Sequence, residues 1–133
     1  TQYILAVDRN TPSVAELYEA YHPAVLQALS QVAKAGLQAG KPVSICGELA
    51  GDPGAAILLM AMGYDSLSMS ATNLPKVKSV LRGISQSEAQ ELLSKVLDLC
   101  EIADIHVAID DLLEVKGITR LFGERIKRRH LSS

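Results

Sequence analysis

The order of apolar and polar positions along the chain predicts several helices separated by short strands. Apolar residues recur at three- and four-residue spacing after His22 and again after Ser85, which is the pattern of a helix with one buried face. The run Pro53–Met62 is apolar at nearly every position and is long enough for a buried helix. Val43–Cys46 and Ser66–Ser70 are short and bounded by turn residues, so they are predicted to be strands.

Capping and turn residues predict where these elements begin and end. Pro23 suits the first turn of the long helix that Gly40 ends, and Ser85 with Glu88 has the pattern of a capping box. Asp52 is in position to cap the helix that follows it. The predicted helices are Ser13–Ala20, Pro23–Gly40, Pro53–Met62, Leu74–Arg82, Ser85–Cys100, Asp104–Lys116 and Ile118–Leu131, with Asn73, Asp104 and a Ser13–Glu16 capping box as further starting signals.

These elements predict a helix-rich α/β fold. Thr1–Val7 fits either a third strand or one to two helical turns, so two to three strands are expected. Helices between successive strands imply that the strands pair in parallel through crossover connections. Two or three parallel strands cannot close a sheet or cover both of its faces. We therefore expect this chain to be part of a larger α/β structure whose other strands complete the sheet.

Composition and charge exclude several classes of function. The formal net charge of the 133 residues is −2, so the charge does not indicate nucleic-acid binding. The basic cluster Arg125–Arg129 fits a solvated helix end. The longest apolar run, Ala55–Met62, is too short to span a bilayer, and Asp8 interrupts the first one, so no signal peptide is expected. The three histidines lack metal-ligand spacing. Cys46 and Cys100 predict two free thiols in a reducing cytoplasm.

The segment Ser44–Asp52, with the sequence S-I-C-G-E-L-A-G-D, contains the residues best suited to chemistry. Cys46 follows an apolar strand and is followed by Gly47 and Glu48, so it is predicted to lie at the end of that strand. Ligands of α/β folds bind at strand ends, and a thiol placed there can exchange a proton or act as a nucleophile. The alternative is a small thiol packed in the core, since free cysteine is often buried. The residues alone leave both interpretations open.

Three blocks of sequence resemble the phosphoenolpyruvate-utilising enzymes. Thr1–Arg9, T-Q-Y-I-L-A-V-D-R, is similar to the second half of a signature of that family, and Ser44–Asp52 is similar to its cysteine loop. Asp65–Ser70, followed by Leu74–Lys78, resembles the last barrel strand and the helix after it. The blocks occur in the family's order, and the resemblance extends from the first residue to about Leu97.

Within that family the chain most resembles the phosphoenolpyruvate-protein phosphotransferases, also called Enzyme I. The segment G-K-P-V-S-I-C-G-E is similar to the corresponding segment of their nitrogen-regulatory branch. Pyruvate phosphate dikinase and phosphoenolpyruvate synthase share the cysteine loop but diverge around S-M-S-A, so they rank second. A non-catalytic dimerisation module is a third alternative, because exposed strand edges favour association.

The resemblance implies a fold and a reaction. Residues 1–133 would form the C-terminal portion of a (β/α)8 TIM barrel, with no complete second domain. The parent enzyme would transfer the phosphoryl group of phosphoenolpyruvate to one of its histidines and then to a phosphocarrier protein, releasing pyruvate. That histidine and the Mg²⁺ ligands would lie upstream, so this chain alone is expected to be inactive. The expected state is a homodimer in the cytoplasm, with no nucleic acid and no membrane insertion.

The resemblance also implies roles for individual residues. Cys46 would be the catalytic proton donor to the enolate of pyruvate. Arg9 would bind the substrate phosphate, for which its planar fork of donors is suited. Gly47 would let the backbone turn sharply, Glu48 would either orient the thiol or only anchor the loop, and Gln2 would help to order the turn that carries Arg9. No residue of this chain is expected to bind the metal.

Overall fold

The structure is a computed structural model that describes residues 1–8, 10–14 and 17–118. In chain order its elements are α1 (Gln2–Leu5), α2 (Pro23–Gln38), β1 (Ser44–Cys46), a 3₁₀ turn (Leu49–Gly51), α3 (Pro53–Met62), β2 (Ser66–Ser68), α4 (Leu74–Gly83), α5 (Gln86–Leu97) and α6 (Ile102–Val115). The helix-rich α/β prediction is confirmed. The segment Thr1–Val7 contains one helical turn and not a third strand.

Three predictions lie outside the described residues. They concern the position of Arg9, the Ser13–Glu16 capping box and the helix that would follow Ile118. The role of Arg9 therefore remains a prediction from the sequence.

The two strands form a small parallel sheet with one open face. The register pairs Ser44 with Ser66, Ile45 with Leu67 and Cys46 with Ser68. Ile45 and Leu67 are half-buried, whereas the residues on either side of them, which point to the opposite face, are exposed. Within the described residues each strand has one neighbour, so each also has an unpaired edge. Parallel strands are ordinarily covered on both faces, and this sheet leaves a row of small polar side chains uncovered.

α3 lies in the core because it has no polar face. Gly54–Leu59 and Ala61 are buried, and the helix packs against α2, α4 and α5. A helix that is apolar all round is stable only where neighbouring elements cover it on several sides. Asp52 caps its first turn and Gly63, with a φ of 95°, ends it, as predicted. Within the described part of the chain, no helix is both long and apolar enough to cross a membrane.

α2 buries a narrower stripe than the sequence predicts. Val25, Leu26 and Ala33 are buried as expected, but Val32 is 54% exposed and Leu37 is 83% exposed. α2 packs mainly against α1, α3 and α5, and both side chains remain exposed. The prediction that both belong to the buried face was wrong. Helical spacing places residues on a face, but the neighbouring elements decide how much of that face is covered.

Three predictions at helix ends differ from the structure. Asn73 is the N-cap residue of α4, as predicted, but its side chain makes no capping hydrogen bond and lies beside Gly51 instead. Asp104 lies within the first turn of α6, which begins at Ile102, so it complements the helix dipole without capping the helix. Cys100 lies between α5 and α6 and is exposed, although the sequence predicted a helix that reaches it.

Glu88 ties the start of α5 to the end of α6. The predicted capping box is confirmed, since the Ser85 hydroxyl accepts from the Glu88 N–H at 3.3 Å and the Ser85 N–H donates to the Glu88 carboxylate at 2.9 Å. The Lys116 ammonium lies 2.5 Å from the other carboxylate oxygen. Pairing with Lys116, followed by the hydrogen bonds from Ser85, lowers the pKa of Glu88 to about 2.

We expect Glu88→Gln to weaken the acid sensitivity of this junction. Because folding lowers the pKa of Glu88 from 4.5 to about 2, its contribution is complete above pH 4.5 and is lost as the pH falls toward 2. The effect is small because Glu88 and Lys116 are partly exposed to solvent. Protection factors of α5 amides, measured by hydrogen exchange at neutral and acidic pH, should change less with pH in Glu88→Gln than in the wild type. Glu91→Gln on the same helix is the control. The prediction would be contradicted if Glu91→Gln reduced the pH dependence of the protection factors as much as Glu88→Gln does.

Candidate functional site

Cys46 is the last residue of β1, and its side chain is exposed. It lies opposite Ser68 on the open face of the two-stranded sheet. The prediction of a thiol at a strand end is therefore confirmed, and the alternative of a thiol packed in the core of this chain is wrong. Ligands of parallel α/β folds bind over the carboxyl ends of the strands. A ligand placed there can reach the sulfur atom of Cys46.

The backbone turns sharply immediately after the thiol. Gly47 has a φ of 108°, in the region that favours glycine, although a Cβ atom there would meet nothing within 4 Å. Glycine is thus needed for the backbone conformation and not for space. Glu48 is exposed, and its carbonyl accepts from the Gly51 N–H at 3.1 Å to form the 3₁₀ turn. The segment from Cys46 to α3 is therefore short, and the 3₁₀ turn makes it compact.

Asp52 closes this segment and starts α3. Its Oδ1 atom accepts from the Gly54 N–H at 2.9 Å and from the Ala55 N–H at 3.1 Å, which confirms the predicted cap. The same oxygen accepts from the Tyr21 hydroxyl at 2.5 Å. A Cβ atom on Gly54 would lie 2.8 Å from a methyl group of Ile109 and 3.0 Å from the Tyr21 hydroxyl. The absence of a side chain at Gly54 therefore lets α6 and Tyr21 approach the start of α3.

Asp8 accepts hydrogen bonds from residues on both sides of Arg9 in the sequence. The Gln2 amide donates to its carboxylate at 3.2 Å, the Asn10 N–H donates at 3.0 Å and the Thr11 hydroxyl donates at 2.9 Å. Gln2 therefore holds the residue next to Arg9, which is the kind of contact that its predicted supporting role requires. That role itself stays a prediction.

The histidines within the described residues have structural contacts. His22 precedes α2, and its Nδ1 atom accepts from the Ala24 N–H at 3.2 Å. The ring of His106 on α6 lies 4.6 Å from the ring of Tyr21, measured between centroids, with the planes tilted by 54°. No group of three or more His, Cys, Asp or Glu residues in the described ranges could hold a metal ion.

Sequence reasoning missed two neighbours of the cysteine loop. Ser68 lies beside Cys46 because of the register in which the parallel strands pair. The alternation of S-I-C and S-L-S indicates which residues share a face, but it does not fix which residues are paired. Tyr21 reaches Asp52 across 31 positions of sequence, and no local pattern indicates that contact. Only the packing of the segment before α2 against α3 and α6 brings them together.

A protein-family comparison identifies the class to which this site belongs. Residues 1–86 match the family model of the PEP-utilising enzyme, PEP-binding domain. The match includes β1, the cysteine loop, β2 and α4. Because it covers more than half of the chain, the chain belongs to the family of phosphoenolpyruvate-utilising enzymes. The resemblance noted in the sequence is thereby confirmed.

Curated relatives narrow the similarity to one group of these enzymes. The chain is 39% identical over 118 residues to a Salmonella typhimurium protein named "Phosphoenolpyruvate-dependent phosphotransferase system", across 89% of this chain and 16% of that protein. It is 41% identical over 113 residues to the "Phosphoenolpyruvate-protein phosphotransferase" of Haemophilus influenzae, across 85% of this chain and 20% of that protein. The chain thus spans no more than one fifth of these relatives. Their names do not distinguish the nitrogen-regulatory branch, which stays a prediction.

Proposed function

We propose that this chain is the C-terminal part of the phosphoenolpyruvate-binding barrel of a phosphoenolpyruvate-protein phosphotransferase. Residues 1–133 would belong to a single (β/α)8 domain, to which β1 and β2 contribute two strands. Two structural features support this: each strand has an unpaired edge that another barrel strand would cover, and the small polar face would point into the barrel. The names of the relatives favour this enzyme over the dikinase and the synthase.

The observation that carries the proposal is the exposed Cys46 thiol at the end of β1, within the residues that match the family. In the proposed reaction the bond between phosphorus and the enol oxygen of phosphoenolpyruvate breaks, and the phosphoryl group passes to a histidine elsewhere in the enzyme. The electron pair of that bond remains on the enolate of pyruvate. Cys46 then donates its proton to the methylene carbon, pyruvate leaves, and the thiolate recovers a proton from solvent.

Four further residues have proposed supporting roles in this chemistry. Arg9 would bind the phosphate of the substrate through its planar fork of N–H donors. Gly47 would keep the backbone turned beneath the substrate, and the exposed Glu48 would orient the loop. Gln2 would order the turn that carries Arg9 through its hydrogen bond to Asp8.

Arg9→Lys is expected to weaken substrate binding. Lysine keeps the positive charge but loses the paired N–H donors, so the KM for phosphoenolpyruvate should rise roughly tenfold, with a smaller change in kcat. Steady-state kinetics of the full-length protein would measure both constants. Arg82→Lys, at an exposed position in the last turn of α4, is the matched control. Equal KM values for Arg9→Lys and the wild type would contradict the assignment.

No group of three or more potential metal ligands comes together among the described residues, so these residues do not form a metal site by themselves. We propose that Mg²⁺ is held by carboxylates outside this chain. When bound, the ion would neutralise negative charge on the phosphoryl and carboxylate groups of the substrate. This chain would contribute binding of the phosphate through Arg9 and transfer of a proton from Cys46.

The proposed partners follow from the same assignment. A phosphocarrier protein would accept the phosphoryl group, and two copies of the full protein would form a homodimer in the cytoplasm. The matching relatives carry the name of the phosphotransferase system, which supports the carrier. The homodimer is proposed from the resemblance to Enzyme I, whose barrels are expected to dimerise through this C-terminal domain.

The test uses the full-length protein with Mg²⁺ and phosphoenolpyruvate labelled on phosphorus, in the absence of ATP and AMP. Acid-labile label on the enzyme that then moves to a small carrier protein is the expected result. Label that stays on the enzyme until AMP is added, and then appears in nucleotide, would assign the protein to the dikinases or synthases. Absence of any label would overturn the enzymatic proposal and favour a non-catalytic dimerisation module.

A further inference from the structure

A buried tyrosine joins the cysteine loop to the last described helix. Tyr21 is only 7% exposed, and its hydroxyl donates to Asp52 at 2.5 Å. Its ring lies against His106 of α6, with 4.6 Å between the ring centroids. Tyr21 therefore contacts both the end of the loop that begins at Cys46 and a helix outside residues 1–86, the part of the chain that matches the family model.

The contact is specific because one oxygen of Asp52 accepts from three donors that belong to two separate parts of the chain. Oδ1 accepts from the N–H groups of Gly54 and Ala55 as well as from Tyr21. The two backbone donors fix Asp52 to the start of α3, and the tyrosine fixes it to a separate part of the chain. A hydrogen bond to an ionised carboxylate is stronger than one between neutral groups, so the hydroxyl contributes more than ring packing alone.

The short loop transmits this constraint to the thiol. The Asp52 N–H donates to the Leu49 carbonyl at 3.2 Å and the Gly51 N–H donates to the Glu48 carbonyl at 3.1 Å, so the loop has little freedom between its ends. Gly51 is also packed against Asn73, since a Cβ atom there would lie 2.6 Å from the side-chain nitrogen. Any shift of Asp52 is therefore passed back toward Cys46.

From these contacts we infer that Tyr21 is a positioning residue for the Cys46 proton donor, and that α6 supports it through His106. This inference rests on the proposed function of Cys46 and deepens it. Tyr21 does not touch the reacting atoms in this account. It holds the loop in the orientation that lets the thiol reach the substrate carbon, and small displacements of a reacting group lower rates strongly.

The test compares Tyr21→Phe with Tyr64→Phe in the full-length protein. Both substitutions remove one hydroxyl from a partly or fully buried tyrosine, but the Tyr64 hydroxyl donates to the Leu29 carbonyl of α2 at 3.1 Å, away from the cysteine loop. Tyr21→Phe is expected to lower kcat for pyruvate release roughly tenfold while KM changes less than about twofold. Tyr64→Phe should leave both constants near the wild-type values, because its hydroxyl does not contact the cysteine loop. A general loss of stability would not lower kcat while leaving KM nearly unchanged.

Hydrogen exchange gives a second readout that does not depend on catalysis. The amides of Gly54 and Ala55 should exchange faster in Tyr21→Phe than in the wild type, whereas Tyr64→Phe should not change them. Unchanged exchange in Tyr21→Phe, or faster exchange with an unaltered kcat, would overturn the inference. A wild-type protein that transfers no phosphoryl group would instead overturn the proposed function. Should Tyr21→Phe fail to fold, Asp52→Asn keeps the helix cap and weakens the same acceptor, and it is expected to lower kcat in the same direction.

Discussion

Cys46→Ala in the full-length protein is expected to stop the release of pyruvate while the substrate still binds. Removing a general acid typically lowers the rate by ~10² to ~10⁴. The thiol is exposed at the end of β1, and its removal leaves no cavity in the core, so the fold should be unaffected. Pyruvate release in the presence of Mg²⁺ and a phosphocarrier protein would give kcat, and calorimetric titration would give the Kd for phosphoenolpyruvate.

Cys100 provides the matched control for that experiment. It is also an exposed, free cysteine, but it lies between α5 and α6 and not at a strand end. Cys100→Ala should keep the wild-type kcat. Release of pyruvate by Cys46→Ala at the wild-type rate would contradict the proton-donor role of Cys46. A variant that loses substrate binding instead would indicate that the thiol contributes to the pocket and not to the chemical step.

Leu58→Ala is expected to have the largest effect on stability. Leu58 is completely buried in α3, which packs against α2, α4 and α5, so few neighbours can move to fill the space. Such substitutions lower the free energy of unfolding by about 2–5 kcal/mol. Hydrogen exchange of α3 amides would report the loss for this domain even if other domains of the full protein unfold separately.

Leu37→Ala makes the same chemical change at a surface position. Leu37 lies near the end of α2 and is 83% exposed, so its truncation should change the free energy of unfolding by no more than about 0.5 kcal/mol. The two variants together separate the contribution of a buried leucine from that of an exposed one. Similar losses of unfolding free energy in both variants would contradict this difference in burial. They would mean that residues outside the described ranges cover Leu37, or that the neighbours of α3 can move to fill the space left by Leu58.

Local signals in the sequence predicted the starts of α2, α3, α4 and α5 correctly, whereas the described residues of the predicted helix Ser13–Ala20 form no α-helix. Pro53–Met62 was predicted residue for residue, since Asp52, Pro53 and Gly63 have side-chain and backbone preferences that act within one turn. The Ser85–Glu88 capping box formed for the same reason. The strands were predicted slightly too long, because their ends depend on a pairing partner that lies elsewhere in the chain.

Predictions that required knowledge of neighbours were less successful. The spacing of Val32 and Leu37 is helical, but no described element covers them, so both are exposed. Asn73 has the side chain of a good cap, yet it lies beside Gly51 and makes no capping bond. In each case the intrinsic preference was correct for an isolated helix and was overruled by packing, which a local pattern does not contain.

The sequence by itself determined the helix-rich α/β class, the strand-end thiol at Cys46 and the family, because each depends on local spacing or on a contiguous motif. Only the tertiary structure decided which faces are covered, that Ser68 lies beside Cys46, and that Tyr21 joins Asp52 to His106. These contacts link residues far apart in the chain. Their formation depends on how all the helices pack together, because close packing and the hydrogen bonding of buried polar groups are set by neighbours in space and not by local sequence.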